Sequence, residues 1–180
     1  MFAGKTQLLL ERLAAAEAGG QRVIGVKPLV DARWPSEIVS HSGARRPAVS
    51  VRDGEELLRV AEGCDLVGLD EAQFFDSGLA EALEVLRSST RVVAAALDLD
   101  FRGDPFAVVP ELIARANVVH RLRAVCGACG NSATLTQRLV DGVPAPLDDA
   151  VIRVGGEELY SPRCARCYLA EREAAAVRTA

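Results

Sequence analysis

The chain has 180 residues, 49% hydrophobic and 26% charged, with a formal net charge of −4 and a pI near 5.3. That is a globular composition, long enough for one domain with a substantial core and a small appendage. The acidic balance without a basic block speaks against nucleic-acid binding by phosphate neutralisation. No apolar run of bilayer length and no signal peptide is present, so no membrane partner is expected and the cytoplasm is the expected compartment.

Gly4-Lys5-Thr6, followed by Leu8, Leu9, Leu10 and Leu13, reads as a phosphate-binding loop entering its helix. In such a loop the glycine lets backbone N–H groups approach phosphate, the lysine reaches the β/γ-phosphates and the hydroxyl ligates Mg²⁺. The complete pattern also needs an earlier glycine, at a position preceding Met1, and a strand feeding the loop. The spacing predicts a helix over 5–18, ended by Gly19-Gly20, and then a buried strand over 22–27 closed by Pro28. Lys27, Asp31 and Arg33 fall on the irregular segment leading to Ser40-His41-Ser42-Gly43, a composition suited to polyphosphate. His41 reads either as a ligand-side polar group or as a structural one.

Asp53 is positioned as a helix N-cap ahead of Leu57, Leu58 and Ala61, with Gly63 as the stop. The next apolar strand, over 64–69, delivers Asp70 and Glu71 and then Gln73, Phe74 and Phe75. Open α/β sheets place ligands at the C-terminal ends of their strands, where an aspartate holds Mg²⁺ directly or through water. Neighbours on an extended chain alternate faces, so the two carboxylates can divide metal-holding from proton-taking. A helix over 79–86 and a third apolar strand over 91–97 follow. Strands without alternation, separated by helices, imply a parallel sheet covered on both faces. Phe74, Phe75, Phe101 and Phe106 cluster at strand ends, where aromatic rings suit a planar base. A helix over 108–116 and a strand over 118–122 complete this part.

Cys126, Cys129, Cys164 and Cys167 make two CxxC pairs, the donor set of a structural zinc site; redox chemistry is the competing reading. Cys64 has no partner at metal spacing. Between the pairs, Asp141-Gly142, Pro144 and Pro146 mark turns, 151–154 a short strand, and Gly155-Gly156 a bend that permits close backbone approach. The stretch over 168–180 is either a short helix or a frayed tail.

Taken together these motifs, with Asp70-Glu71-Ala72-Gln73-Phe74-Phe75, the paired CxxC and Gly155-Gly156…Tyr160, resemble the type II, zinc-containing thymidine kinases across residues 1–168. The resemblance implies an α/β P-loop kinase core with a central, mainly parallel sheet flanked by helices over 1–123. It implies a zinc-stapled lasso domain over 124–168, whose loop closes on the nucleoside, and a tail over 169–180. The implied reaction moves the γ-phosphoryl of ATP to the 5′-hydroxyl of thymidine with Mg²⁺, in a homotetramer inhibited by thymidine triphosphate. By motif position Glu71 would be the general base. Asp70, Gly4, Lys5, Thr6, Arg33 and Asp31 would serve ATP and Mg²⁺. Met1, Phe74, Leu97, Phe101, Phe106, Thr136, Val151, Gly155, Gly156 and Tyr160 would serve the nucleoside.

The family's first strand and first loop glycine lie upstream of Met1. The expectation is therefore an upstream start, with the chain as written poorly folded or inactive. A weakly active zinc-stapled nucleotide-binding module is the alternative. A zinc-ribbon nucleic-acid binder fits the cysteines but not the charge.

Overall fold

The apolar segments beginning near residues 23, 66 and 91 lie side by side in parallel, and this ladder sets the position of the residues around it. The computed structural model describes residues 1–106, 108–153, 155–156 and 158–179. They fall into two compact units. One comprises Gly4–Asp98 and Phe106–Val119, the other Met1–Ala3, Leu99–Pro105 and His120–Ala180.

In the first unit the elements run α1 (Lys5–Ala18), β1 (Val23–Pro28), β2 (Glu37–Val39), β3 (Arg45–Pro47), β4 (Val49–Val51), α2 (Gly54–Val60) and β5 (Leu66–Leu69). A 3₁₀ turn (Ala72–Phe74), α3 (Gly78–Leu86), β6 (Arg91–Ala94) and α4 (Val109–Arg115) follow. The sheet order is β4-β1-β5-β6, every pairing parallel, while β2 and β3 form an antiparallel hairpin beside it.

Both faces of the sheet are covered, as continuous apolar strands require. Val67 and Leu69 pack with Leu57 of α2, Leu79 and Leu86 of α3 and Val109 of α4. Leu66 points the other way, into a cluster with Leu9, Leu10 and Leu13 of α1 and Ile38 of β2. Asp53 caps α2 as its position predicted, its side chain accepting from the Glu56 N–H at 2.8 Å.

Pairing of the third apolar run stops at Ala94, earlier than the expected strand over 91–97. Beyond it the backbone still gives Ala95 N–H to the Leu69 carbonyl, but Leu97 N–H goes to the side chain of Gln73 at 3.0 Å. The expected strand over 118–122 does not form. Val118 and Val119 stand exposed and no neighbouring strand pairs with the segment, so its apolar residues have no face to bury.

In the second unit β7 (Ala124–Val125) and β8 (Ser132–Ala133) make a short hairpin. A separate antiparallel sheet of β9 (Leu135–Val140), β10 (Val143–Pro144) and β11 (Tyr160–Arg163) has the order β10-β9-β11. Asp141 and Gly142 both take positive φ in the tight turn between β9 and β10, the geometry of the favoured two-residue hairpin. The final helix is α5 (Ala165–Thr179). Residues 151–153 form no strand, and Val154, the last residue of that expected strand, lies outside the described residues. No described helix is long and apolar enough to cross a membrane.

Gly25 and Gly68 are register partners on β1 and β5. A Cβ on Gly68 would sit 2.4 Å from Leu13 Cδ1, and Leu13 is wholly buried. We therefore expect Gly68→Ala to lower unfolding free energy by about 1–3 kcal/mol through overpacking, read from urea melts, whereas Gly19→Ala at the end of α1 costs less.

Candidate functional site

The first turn of α1 and the end of β5 are brought together. Gly4 precedes α1 with φ 76°, a left-handed conformation that favours glycine, and so turns the chain into the helix at Lys5. Thr6 Oγ1 lies 3.3 Å from each carboxylate oxygen of Asp70. Asp70 is buried where β5 ends, its N–H bound to the Val26 carbonyl at 2.9 Å. Desolvation, then the neighbouring Glu71 charge, push its carboxyl up to about 7, against the opposing pull of Lys5 and the Thr6 hydroxyl. A desolvated carboxylate that lacks a full counter-charge, with a hydroxyl at its oxygens, is a fitting seat for a divalent cation.

Glu71 adopts φ 51° and ψ 41°, a left-handed conformation rare for a residue with a side chain. From that turn its carboxylate enters a chain of polar contacts. Arg33 Nη2 donates to Glu71 Oε1 at 2.8 Å, and Gln73 Nε2 to Oε2 at 2.5 Å. Gln73 is itself buried and fixed by the Leu97 N–H on its Oε1. On the other side Arg33 Nε meets Asp31 Oδ1 at 2.6 Å, and Asp31 Oδ2 meets Lys27 Nζ at 2.9 Å. Burial works against the Asp31 carboxylate, but the hydrogen bonds from Arg33 and Lys27 outweigh it and hold its carboxyl below the usual range. Burial works against the Arg33 charge, but Asp31 and Glu71 outweigh it and raise the guanidinium further, so it stays charged. Phe74 and Phe106 meet edge to face with ring centroids 6.3 Å apart.

The other residues expected to serve the nucleoside lie in the second unit. The Met1 amino group donates to Thr136 Oγ1 at 2.9 Å. Phe101 is buried, with the Arg138 guanidinium 3.9 Å from its ring centre. Tyr160 is buried, its hydroxyl donating to the Arg153 carbonyl at 2.6 Å. Val151 gives its carbonyl to Arg138 at 2.6 Å, and Gly156 N–H meets Glu158 Oε1 at 2.7 Å. A Cβ on Gly155 would sit 2.4 Å from Leu159 Cδ1, the end of a half-buried side chain that would have to shift.

The Cys126, Cys129, Cys164 and Cys167 sulfurs all lie within 4.8 Å of one another, so these thiols could hold one metal ion. None is in a disulfide, and Cys129 and Cys164 Sγ are 3.7 Å apart. Hydrogen bonding with the Cys129 and Cys164 thiols pushes Cys167 up to about 12 in the absence of metal. A bound cation would compete with those shared protons.

Two residues were not singled out from sequence as site residues. Gln73 stood inside the acidic motif, and its two-residue offset from Glu71 was the available signal. Arg138 had none, because a lone arginine in a strand normally reads as solvated.

A family model described as thymidine kinase matches residues 1–168. A thymidine kinase of Coprothermobacter proteolyticus is 46% identical over 166 residues, spanning 91% of this chain and 84% of that protein.

The Asp70 carboxyl generates a pH prediction. Its folded value, about 7, exceeds its ordinary 3.8, so the folded chain keeps a proton that the unfolded chain releases. Stability from this group is fully present below about pH 4 and is lost as pH rises to about 7. In magnesium-free buffer we expect Asp70→Asn to be more stable than the parent by roughly 1–3 kcal/mol at pH 8, converging near pH 4, as read by urea unfolding.

Proposed function

This chain belongs to the thymidine kinase family, and from that premise we propose that it transfers the γ-phosphoryl group of ATP to the 5′-hydroxyl of thymidine, with Glu71 as the general base. The observation that carries the reading is the Glu71 carboxylate, held on one oxygen by Arg33 and on the other by Gln73, one residue from an Asp70 that faces Thr6. Phosphoryl transfer asks a protein mainly for positioning and charge neutralisation, and these residues supply both.

Gly4, Lys5 and the N–H groups opening α1 bind the polyphosphate. Thr6 and Asp70 would hold Mg²⁺, which would supply charge neutralisation for the polyphosphate. Arg33, about one-third exposed, presents its guanidinium to the transferring group while Asp31 and Lys27 hold it in place. The nucleoside hydroxyl oxygen attacks phosphorus, its proton passes to Glu71, and the bond to the β-phosphate oxygen breaks to release ADP. Phe74, Leu97, Phe106, Met1, Phe101, Thr136, Tyr160, Val151, Gly155 and Gly156 are the nucleoside-side residues of the same reading. The four cysteines would hold a structural Zn²⁺ joining the β7–β8 hairpin to the start of α5. A cytoplasmic homotetramer belongs to the same proposal and is supported by the family resemblance.

An assay of phosphate transfer from ATP across the deoxynucleosides tests the reading, and failure to label thymidine would overturn it. Glu71→Gln is expected to lower kcat by about 10²–10⁴-fold while thymidine binding, measured calorimetrically, stays within a few-fold. Zinc quantification is expected to return one ion per chain. Cys167→Ser should lose that ion and lower the melting temperature, and a variant with unchanged zinc content would remove the assignment.

A further inference from the structure

Arg138 is a fully buried cation on β9 that the reaction scheme does not use, and its contacts converge on one stretch of irregular backbone. Its side chain is about 1% exposed. Nη1 donates to the Ala150 carbonyl and to Asp149 Oδ2, the latter at 3.3 Å. Nη2 donates to the Val151 carbonyl at 2.6 Å and to the Tyr160 hydroxyl at 2.9 Å. That hydroxyl in turn donates a hydrogen bond to the Arg153 carbonyl. The guanidinium lies over Phe101, 3.9 Å from the ring centre, and 5.2 Å from that of Tyr160.

A buried guanidinium is costly unless its donors are used. Here Nη1 and Nη2 collect the carbonyls of residues 150 and 151, with Tyr160 relaying the contact to 153, while Nε has no hydrogen-bond partner among the described residues. Across a trans peptide the N–H points opposite to the C=O. Drawing the carbonyls of Ala150 and Val151 inward therefore turns the N–H groups of Val151 and Ile152 away from Arg138. The N–H groups of Val151 and Ile152 are thus presented outward, the polarity that a ligand's carbonyl oxygens require, while the Ala150 N–H is taken by Asp149 Oδ1. Thr136 lies two residues before Arg138 on the same face of β9, and Tyr160 is Arg138's register partner on β11.

We propose that Arg138 is a positioning residue for nucleoside recognition: its planar fork fixes the peptide planes of 150–152 so that their amides meet the pyrimidine carbonyls. This rests on the proposed role of Val151 and Tyr160 in binding the nucleoside. Lysine cannot replace it, because an ammonium is a point donor and lacks the fork and the stacking face.

Arg138→Lys and Arg138→Gln test this. In both, thymidine KM is expected to rise about 10- to 100-fold, while kcat and the KM for ATP stay within about threefold. Zinc content should match the parent, and trypsin should cut after Arg153 faster in the absence of ligand. A general loss of packing would instead lower kcat, zinc content and both KM-dependent rates together. If Arg138→Gln fails to fold, Arg138→Lys alone decides, since it keeps the charge and most of the volume. Thymidine KM unchanged in a folded, zinc-replete variant overturns the proposal. The parent chain separates the two levels: if thymidine neither slows its cleavage after Arg153 nor accepts phosphate, the nucleoside reading itself fails. If the parent is protected and the variants behave identically, only the role of Arg138 fails.

Discussion

The arrangement of polar groups around Asp70 in the first unit depends on how closely α1 lies against β5. The first turn of the helix and the end of the strand bring Thr6 and Asp70 together, with 3.3 Å between hydroxyl and carboxylate. Gly68 allows that approach, since Leu13 occupies the space a side chain would take. Gly25, its partner on β1, does the same for Ile38 at longer range. A sheet residue that contributes no side chain therefore governs the reach of a carboxylate two residues further on, at Asp70. Burial of Leu9 and Leu13 supplies the force that holds the helix there.

Asp70 and Glu71 are adjacent in sequence and opposite in electrostatic circumstance. Asp70 is dry and under-compensated, which favours a proton or a metal. Glu71 has a guanidinium on one oxygen and an amide on the other, which leaves it little rotational freedom. The left-handed backbone at Glu71 carries a strain of roughly 1 kcal/mol or more that Gln73 and the sheet must offset. Strain of this kind is retained where surrounding contacts over-determine the geometry, and here Gln73 binds both the Glu71 carboxylate and the Leu97 N–H.

Much of this was legible because local chemistry and periodicity agreed. The helix over 5–18, the Asp53 cap, the unalternating strands and the cysteine pairs each have a signature that needs no tertiary information. The misses share a cause. Residues 118–122 have strand composition, but β-propensity describes fit to a half-buried surface and these residues find none. The third strand stops early because a distant side chain, Gln73, takes the next donor. The segment Leu99–Pro105 clusters with residues 120–180 through the Phe101 carbonyl, which accepts from Tyr168 and Arg172. No pattern within the segment announces those partners.

Both units solve one problem in the same way. An irregular loop that carries functional groups has backbone carbonyls without ladder partners, and buried carbonyls must be satisfied. In the first unit the buried Lys27 donates to the Trp34 carbonyl at 2.9 Å and to that of Glu37 at 3.5 Å, while pairing with Asp31. Asp31 thereby orients Arg33, and Arg33 reaches Glu71. In the second unit Arg138 gathers the carbonyls of Ala150 and Val151 and pairs with Asp149. Each cation stands on a strand, β1 or β9, so the rigidity of a sheet is passed to a loop through one side chain. Desolvating a cation to do this is expensive, and it is tolerable only because every loop carbonyl engaged returns a charge-assisted hydrogen bond. The loop then depends on the cation, since removing it would take away the donor that its carbonyls share with the neighbouring acid.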